Sequence, residues 1–383
     1  MSAVSSRPGR LREGEIVLGK YRVEGLLAAG GMGEVFRAMH LVLHSKVAIK
    51  VLRGSQLQTS DGVARLVREA RSLAQISSAH VCRVLDVEAI PDRGPALVME
   101  LLEGNDLRSE LTGAGRLPYP RAVRYVLEAC DAIAEAHDLG IVHRDLKPGN
   151  LFVVKRAPRP DYVKVLDFGL AKALGRADGI STMTGDVLGS PRYMSPEQIF
   201  EPAAVDARTD VWSLGVILYE LVAGVHPFDA ANPMLVSVGI RSNPHEMLSR
   251  HAPDVPAGLE ELVSRCLAKD RENRFKNAEE LAHALAPYAE VVRSGLASLP
   301  RHTAPVDMDA SVRIPVVVDG SVTQRLATVD AAPPTLAHAP DLPPAPAARR
   351  TAKPYLAFGI LAALLGLVVG AAGALALRAR ALR

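Results

Sequence analysis

The sequence contains little cysteine, and none of it in a pattern typical of a disulfide framework. Its 383 residues include three cysteines, Cys82, Cys130 and Cys266, which lie far apart in apolar contexts. No CxxC pair and no metal-ligand spacing is present. The pattern argues against a disulfide-stabilised secreted domain and a cysteine-based metal site, and it predicts buried thiols in a reducing compartment.

An excess of charge of either sign is also lacking. The chain carries 45 basic and 42 acidic residues, a formal net charge of +3. A net charge this small creates no strong positive potential that would attract nucleic acid. We therefore predict no nucleic-acid partner. The Ser-, Arg- and Gly-rich start contains no apolar run, which argues against a secretory signal peptide. We interpret residues 1–18 as a flexible N-terminal arm.

Long apolar runs are absent except for one near the end of the chain. Residues 355–377 form a run of 23 residues without a charge. As a helix it would be about 35 Å long, enough to cross a hydrocarbon core of about 30 Å. The alternative, a buried helix of a soluble domain, is disfavoured because core helices are seldom apolar all round. Gly366 and Gly370 have the GxxxG spacing that lets two such helices pair.

The composition changes several times along the chain. Short β-rich runs from Tyr21 to Val98 surround one amphipathic helix centred on Glu69, and a more helical part follows. Residues 301–350 are rich in proline and alanine and poor in aromatics, so they bury too little apolar surface to fold. Within them, Ile314–Val318 could form a short strand or a docking element. We divide the chain into 1–18 (arm), 19–288 (folded domain), 289–354 (linker), 355–377 (transmembrane helix) and 378–383 (tail).

Two short segments of the folded domain contain most of the candidate catalytic side chains. The first, residues 143–150, reads His-Arg-Asp-Leu-Lys-Pro-Gly-Asn, and the second is Asp167-Phe168-Gly169. Phosphoryl transfer needs a carboxylate to orient the attacking hydroxyl, cations for the phosphates and oxygen ligands for Mg²⁺. Asp145 can accept the hydroxyl proton, and Lys147 can neutralise the transferring phosphate. Asn150 and Asp167 offer the hard oxygen ligands that Mg²⁺ prefers.

Further motifs follow in a fixed order around these segments. They are Val47-Ala48-Ile49-Lys50, Ser195-Pro196-Glu197, Asp210-Val211-Trp212-Ser213-Leu214-Gly215 and Arg274. In this order the chain resembles the Hanks-type (eukaryotic-like) bacterial serine/threonine protein kinases over roughly residues 21–286. The resemblance implies an α+β, bilobal protein kinase fold, with a small β-rich lobe carrying the family's αC helix and a larger helical lobe.

The resemblance also implies a site for ATP. Residues 27–35 align with the family's GxGxxGxV loop, whose backbone amides bind phosphates. Ala28 replaces the first glycine, so we expect a stiffer loop and weaker ATP binding. Lys50 is expected to bind the α and β phosphates and to pair with Glu69. The implied nucleotide-binding residues are Leu27, Ala28, Gly30, Gly31, Gly33, Val35, Ala48, Lys50, Met99, Glu100, Leu102 and Phe152.

The same resemblance bears on the substrate and on regulation. Lys147 and the Gly189–Tyr193 segment, with Ser190 in place of the family's threonine, imply serine/threonine specificity. Glu197 is expected to pair with Arg274, and Leu73, Val84, His143 and Phe168 to form an apolar stack. Arg144 before Asp145 is typical of kinases switched by activation-loop phosphorylation. The implied phosphorylation sites are Thr182 and Thr184.

These features predict a membrane-anchored, non-specific serine/threonine protein kinase that uses ATP with Mg²⁺, for which Mn²⁺ could substitute. Its implied partners are protein substrates, ATP, the membrane and a second copy, through the kinase domain or the transmembrane helix. Basic residues flank both ends of 355–377, so the distribution of positive charge does not predict the orientation of the helix. Because ATP is cytoplasmic, we expect the kinase domain inside the cell and the tail outside. Two alternatives stay open: a pseudokinase scaffold, and a small-molecule kinase of the aminoglycoside or choline type.

Overall fold

The computed structural model describes residues 10–30, 33–53, 60–158, 160–168, 191–289, 317–318 and 321–322. These lie in one compact unit, Met1–Leu326, and a second unit comprises Ala327–Arg383. Several predicted features fall outside the described residues: Gly31, Ser190, Thr182, Thr184 and the segment 355–377. Among the helices in the described ranges, none is long and apolar enough to cross a membrane.

The amino-terminal lobe is built on a six-stranded antiparallel sheet. Its strands are β1 (Ile16–Val17), β2 (Tyr21–Gly30), β3 (Gly33–His40), β4 (Ser45–Leu52), β5 (Val84–Ile90) and β6 (Gly94–Glu100), in the order β1-β2-β3-β4-β6-β5. Helix α1 (Ser60–Leu73) packs beside this sheet. Leu66 and Ala70, one turn apart on α1, are fully buried against Leu52 and Leu97 of the sheet. This spacing is the apolar stripe expected of an amphipathic helix.

Part of the predicted flexible arm is folded onto this lobe. Leu11 and Val17 are buried in its core. The Val23 amide donates to the carbonyl of Glu15 at 2.9 Å, and the Arg93 guanidinium lies 2.7 Å from the Glu15 carboxylate. The prediction of a flexible arm through residue 18 was therefore wrong for residues 10–18. Leu11 and Val17 are buried there and Leu18 packs against the same core, but no periodic pattern reveals them.

The carboxyl-terminal lobe is mainly helical and contains a small three-stranded sheet. Its elements are β7 (Gly104–Asp106), α2 (Leu107–Ala114), α3 (Tyr119–Asp138), β8 (Leu151–Val154), β9 (Tyr162–Val165), α4 (Pro196–Phe200), α5 (Arg208–Ala223), α6 (Pro233–Ser242), α7 (Ala257–Cys266) and α8 (Ala278–Leu285). Helix α5 is buried almost all round and forms the centre of the lobe. The sheet has the order β7-β8-β9.

A short hairpin lies beyond the helical lobe in sequence. Strands β10 (Val317–Val318) and β11 (Ser321–Val322) pair antiparallel. The hairpin begins within the Ile314–Val318 run, for which a strand was one of the two sequence interpretations.

Candidate active site

Three residues predicted to be functional converge in the loop between α3 and β8. The Lys147 ammonium lies 2.8 Å from Asp145 Oδ2, and the Asn150 amide nitrogen lies 3.1 Å from the same oxygen. Asn150 also donates to the Asp145 backbone carbonyl at 2.7 Å. These contacts fix the Asp145 carboxylate while its side chain stays partly accessible, at 24% exposure. The carboxylate can therefore be reached by a substrate hydroxyl.

The β8–β9 hairpin brings the predicted metal ligands together. Asn150 directly precedes β8, Asp167 is the second residue after β9, and Leu151 is paired with Val165 across the two strands. The Leu166 amide donates to the Asn150 carbonyl at 2.8 Å. Because an antiparallel hairpin places its two ends side by side, residues 17 positions apart in sequence reach one site.

Asp167 also joins the two lobes electrostatically. The ammonium of Lys50, on β4, lies 2.5 Å from Asp167 Oδ1, and the Lys50 side chain is 7% exposed. Asp167 adopts a positive φ of 58°, an uncommon backbone conformation for a residue with a side chain. Glu69 is partly buried on α1. Its pairing with Lys50 stays a prediction.

The donor set fits a magnesium site. In the described ranges, no group of three or more Asp, Glu, His or Cys residues is placed to hold a metal. Mg²⁺ is commonly held by one or two carboxylates together with substrate phosphates and water. Asp167 would supply the carboxylate and Asn150 the amide oxygen, and the phosphates of ATP would complete the set.

A buried aspartate that the sequence analysis left without a role anchors the catalytic loop. Asp210, at the start of α5, is fully buried. Its carboxylate accepts hydrogen bonds from the backbone amides of His143 and Arg144 at 2.8 and 2.9 Å. It also lies 2.9 Å from His137 Nε2. The sequence signal that could have revealed it was an aspartate directly before the apolar run that begins with Val211 and Trp212.

His143 connects this loop to the segment that carries Asp167. It is fully buried, and its Nε2 lies 2.9 Å from the carbonyl of Leu166. The His143 and Phe168 rings lie 4.8 Å apart, as expected for the predicted apolar stack. Leu73 packs on the same core, whereas Val84 packs beside α1.

The predicted phosphate loop is the end of the β2–β3 hairpin. Ala28 is paired with Val35, and Gly30 with Gly33. Gly33 has a φ of 146°, and a Cβ there would lie 2.0 Å from the carbonyl oxygen of Val51. The backbone of the neighbouring strand β4 therefore requires glycine at residue 33. Ala28, in contrast, is paired within the strand, where a residue with a Cβ is accommodated.

The predicted adenine site lines the junction of the lobes. Met99 is paired with Ala48 across β4 and β6, and Phe152 lies on β8. The Glu100 side chain accepts the Arg83 amide at 2.7 Å and lies 2.6 Å from the ammonium of the buried Lys164. Glu100 is thereby tied to both lobes, and its backbone, together with that of Leu102, remains the predicted contact for adenine.

The predicted ion pair between Glu197 and Arg274 is confirmed. Arg274 Nη1 and Nη2 lie 2.7 and 3.0 Å from the two Glu197 carboxylate oxygens. Both side chains are buried, at 6% and 0% exposure. Burial alone would raise the pKa of Glu197, but the Arg274 guanidinium outweighs it and holds that pKa below its usual value.

The three thiols take no part in this chemistry. Cys130 and Cys266 are buried and Cys82 is partly exposed. Burial raises the pKa of all three, to about 12 for Cys266. Thiols with raised pKa values are poor nucleophiles, which agrees with their predicted role as small apolar residues.

Comparison with known proteins supports the kinase resemblance. The family described as the protein kinase domain matches residues 21–286. Serine/threonine-protein kinase pkn3 of Myxococcus xanthus is 37% identical over 295 residues, which cover 76% of this chain and 54% of that protein. Serine/threonine-protein kinase PknB of Mycolicibacterium smegmatis is 38% identical over 266 residues, covering 68% and 42%. The chain thus spans about half the length of the curated relatives it matches.

A solved structure shows the same fold. The crystal structure of the Mycobacterium tuberculosis PknI kinase domain superposes with a TM-score of 0.58 at 26% sequence identity. The superposition covers 73% of this chain and 100% of that domain. With residues 21–286 matched and the catalytic loop, the paired lysine and the hairpin of metal ligands in place, the chain belongs to the protein kinase domain family.

Proposed function

We propose that this chain is an ATP-dependent serine/threonine protein kinase. The observation that carries the proposal is the meeting of Asp145, Lys147 and Asn150 in one loop, with Asp167 paired to Lys50 at the end of the adjoining hairpin. A pseudokinase scaffold usually lacks at least one of these groups. A small-molecule kinase is disfavoured by the Ser195-Pro196-Glu197 segment, which serves peptide substrates in the family.

Each residue has a defined part in the transfer. Asp145 orients the attacking hydroxyl and receives its proton as the oxygen bonds to the γ-phosphorus, and the bond to the β-phosphate oxygen breaks to release ADP. Lys147, 2.8 Å from Asp145, neutralises charge on the transferring group. Lys50 would bind the α and β phosphates when ATP enters, and these phosphates would then compete with the Asp167 carboxylate for the Lys50 ammonium. Asn150 and Asp167 would hold Mg²⁺, which would offset the negative charge of the phosphates.

Serine/threonine specificity rests on sequence and on the names of the relatives. Lys147 follows Asp145 in the Asp-Leu-Lys-Pro pattern, and the curated relatives named above are serine/threonine-protein kinases. The test is to incubate the purified chain with labelled ATP, Mg²⁺ and a general protein acceptor, followed by phosphoamino-acid analysis. We expect phosphoserine and phosphothreonine; phosphotyrosine, or ATP hydrolysis without protein labelling, would contradict the proposal.

Regulation by autophosphorylation belongs to the same proposal. Arg144 lies next to Asp145, where a phosphate on the following segment could be held by charge-assisted hydrogen bonds. Thr182→Ala combined with Thr184→Ala should remove phosphate from the segment and lower activity. Mass spectrometry and initial rates measure this together, and a fully active double variant would exclude the switch.

The membrane location is also a proposal. It is supported by the charge-free run 355–377, which has the length and composition of a single span. The kinase domain would lie on the cytoplasmic face, where ATP and Mg²⁺ are abundant. Pairing of two spans through Gly366 and Gly370, or of two kinase domains, would bring two active sites together for autophosphorylation.

A further inference from the structure

The segment Pro191–Tyr193 lies between the catalytic loop and helix α5. The Ser213 hydroxyl donates to the Tyr193 carbonyl at 2.8 Å, and the Tyr193 hydroxyl donates to Glu220 at 2.7 Å. Gln198, which follows the segment closely, donates to the carbonyl of Arg144 at 2.8 Å. Since Arg144 precedes Asp145, the start of α4, which follows the segment by three residues, lies beside the catalytic loop.

The backbone of this segment has a further contact, with His226. The ring Nε2 of His226 lies 2.9 Å from the carbonyl oxygen of Arg192. On the other side of the ring, Nδ1 lies 3.1 Å from the backbone nitrogen of Phe228. A backbone N–H can only donate, so Nδ1 accepts and carries no proton. The proton is therefore on Nε2, which donates to the Arg192 carbonyl.

The surroundings keep His226 in this neutral form. The residue is 7% exposed. Burial, with the nearby Arg192 guanidinium, lowers the pKa of His226 to about 4, and the Arg192 carbonyl and Asp229 oppose that effect only in part. A second proton would have to go on Nδ1, against the Phe228 N–H. The hydrogen bond to Arg192 is consequently present throughout the physiological pH range.

The ring is also held by aromatic neighbours. It lies edge-on to Tyr193, with centroids 5.5 Å apart. Its centroid also lies 6.4 Å from that of Phe228, which stacks on Trp212 of α5 at 5.5 Å with an interplanar angle of 9°. His226 thus connects a rigid part of the core to the backbone of Pro191–Tyr193.

We propose that His226 is a positioning residue for the protein substrate. By fixing the Arg192 carbonyl, it sets the path of the segment that flanks the acceptor site, and its contacts described above include no residue of the nucleotide site. This inference rests on the proposed kinase function. Loss of the Nε2 hydrogen bond should therefore weaken binding of the protein substrate and leave binding of ATP unchanged.

Two substitutions separate the hydrogen bond from the packing of the ring. His226→Phe keeps an aromatic ring but removes the Nε2 donor together with the Nδ1 acceptor, whereas His226→Gln keeps an N–H donor of similar reach. His245→Phe is a matched control, because His245 packs against the same Phe228 ring at 6.4 Å but bonds Ser264 at 3.0 Å. The His245→Phe variant therefore shows the effect of losing a half-buried histidine that packs on Phe228 but does not contact Arg192.

The kinetic test uses the full chain and a peptide that it phosphorylates. One neutral hydrogen bond contributes about 1 kcal/mol, so His226→Phe should raise the KM for peptide about fivefold. The kcat and the KM for ATP should stay within twofold of wild type, His226→Gln should recover most of the loss, and His245→Phe should resemble wild type. An unchanged KM for peptide, or a rise shared by His245→Phe, would overturn the inference.

A second measurement keeps the inference separate from the proposed function. Hydrogen exchange of peptides covering residues 191–196, read by mass spectrometry without ATP, requires no turnover. We expect faster exchange in His226→Phe and wild-type exchange in His226→Gln and His245→Phe. If wild type transfers no phosphate, the proposed function fails, while equal exchange in wild type and His226→Phe would show that His226 does not hold the segment.

Discussion

At the scale of single residues, buried charge that is fully paired determines the geometry of the catalytic loop. Asp210 accepts two backbone amides of that loop, and the bidentate pair of Glu197 and Arg274 holds α4 against the end of the domain. The motifs identified these residues by order alone. The family resemblance predicted the pairing of Glu197 with Arg274, whereas the role of Asp210 follows only from its contacts, because sequence spacing does not show which amide faces which carboxylate.

Arg274→Met should destabilise the folded domain by about 3 to 5 kcal/mol, since it leaves the Glu197 carboxylate buried without its cation. The Thr209 hydroxyl, 2.9 Å from Glu197, cannot replace a charge. Urea unfolding measures the change. Adding Glu197→Leu should recover part of the loss, because the orphaned charge is then removed as well. A loss below about 1 kcal/mol in Arg274→Met would mean that the carboxylate finds water or another partner.

At the scale of elements, two hairpins build the site, one for the phosphates and one for the metal. The β8–β9 hairpin carries Asn150 and Asp167 at its ends, and α3 holds it through Glu128, which accepts the Val163 amide at 2.6 Å, and Arg124, which binds Asp161 at 2.8 Å. Burial raises the pKa of Glu128 to about 7 despite the Arg124 guanidinium beside it. The metal ligands are thus positioned by an element that no catalytic motif marks.

Gly33→Ala should destabilise the β2–β3 hairpin even without nucleotide. The new Cβ would meet the Val51 carbonyl at 2.0 Å, in a backbone conformation that favours glycine. We expect a loss of about 1 to 3 kcal/mol, measured by thermal unfolding, and a higher KM for ATP. Gly113→Ala on α2 is the control, since a Cβ there meets nothing within 4 Å. Equal unfolding temperatures for the two variants would show that the hairpin tolerates the change.

At the scale of the whole molecule, the kinase fold could be predicted from motif order, but the residue at which the folded domain begins could not. The order of Lys50, Asp145, Asp167 and Glu197 implied two lobes with a site between them, and the structure contains that fold. The sequence missed the folding of residues 10–18, because Leu11, Val17 and Leu18, which pack on the core there, do not recur with the period of a helix or a strand. The predicted pairing of Lys50 with Glu69 stays a prediction, and motif order did not reveal the 2.5 Å contact between Lys50 and Asp167, which depends on how the two lobes meet.

Removing residues 355–383 should release an active, soluble protein if the charge-free run is the membrane anchor. The kinase domain matched at 21–286 is left intact by this truncation. Membrane fractionation followed by a phosphotransfer assay measures both properties. Retention of the truncated protein in the membrane fraction would place the anchor elsewhere, and restoring the run with its flanking arginines provides the control.

The most direct test of the account is the single-turnover rate of phosphoryl transfer in wild type and Asp145→Asn. The amide keeps the size of the carboxylate and can still accept from Lys147, so folding and ATP binding should be unchanged. Because the asparagine cannot receive the hydroxyl proton, the rate should fall by at least about 100-fold. A rate within tenfold of wild type, in a variant with wild-type unfolding temperature and ATP affinity, would contradict the assignment of Asp145 as the catalytic base.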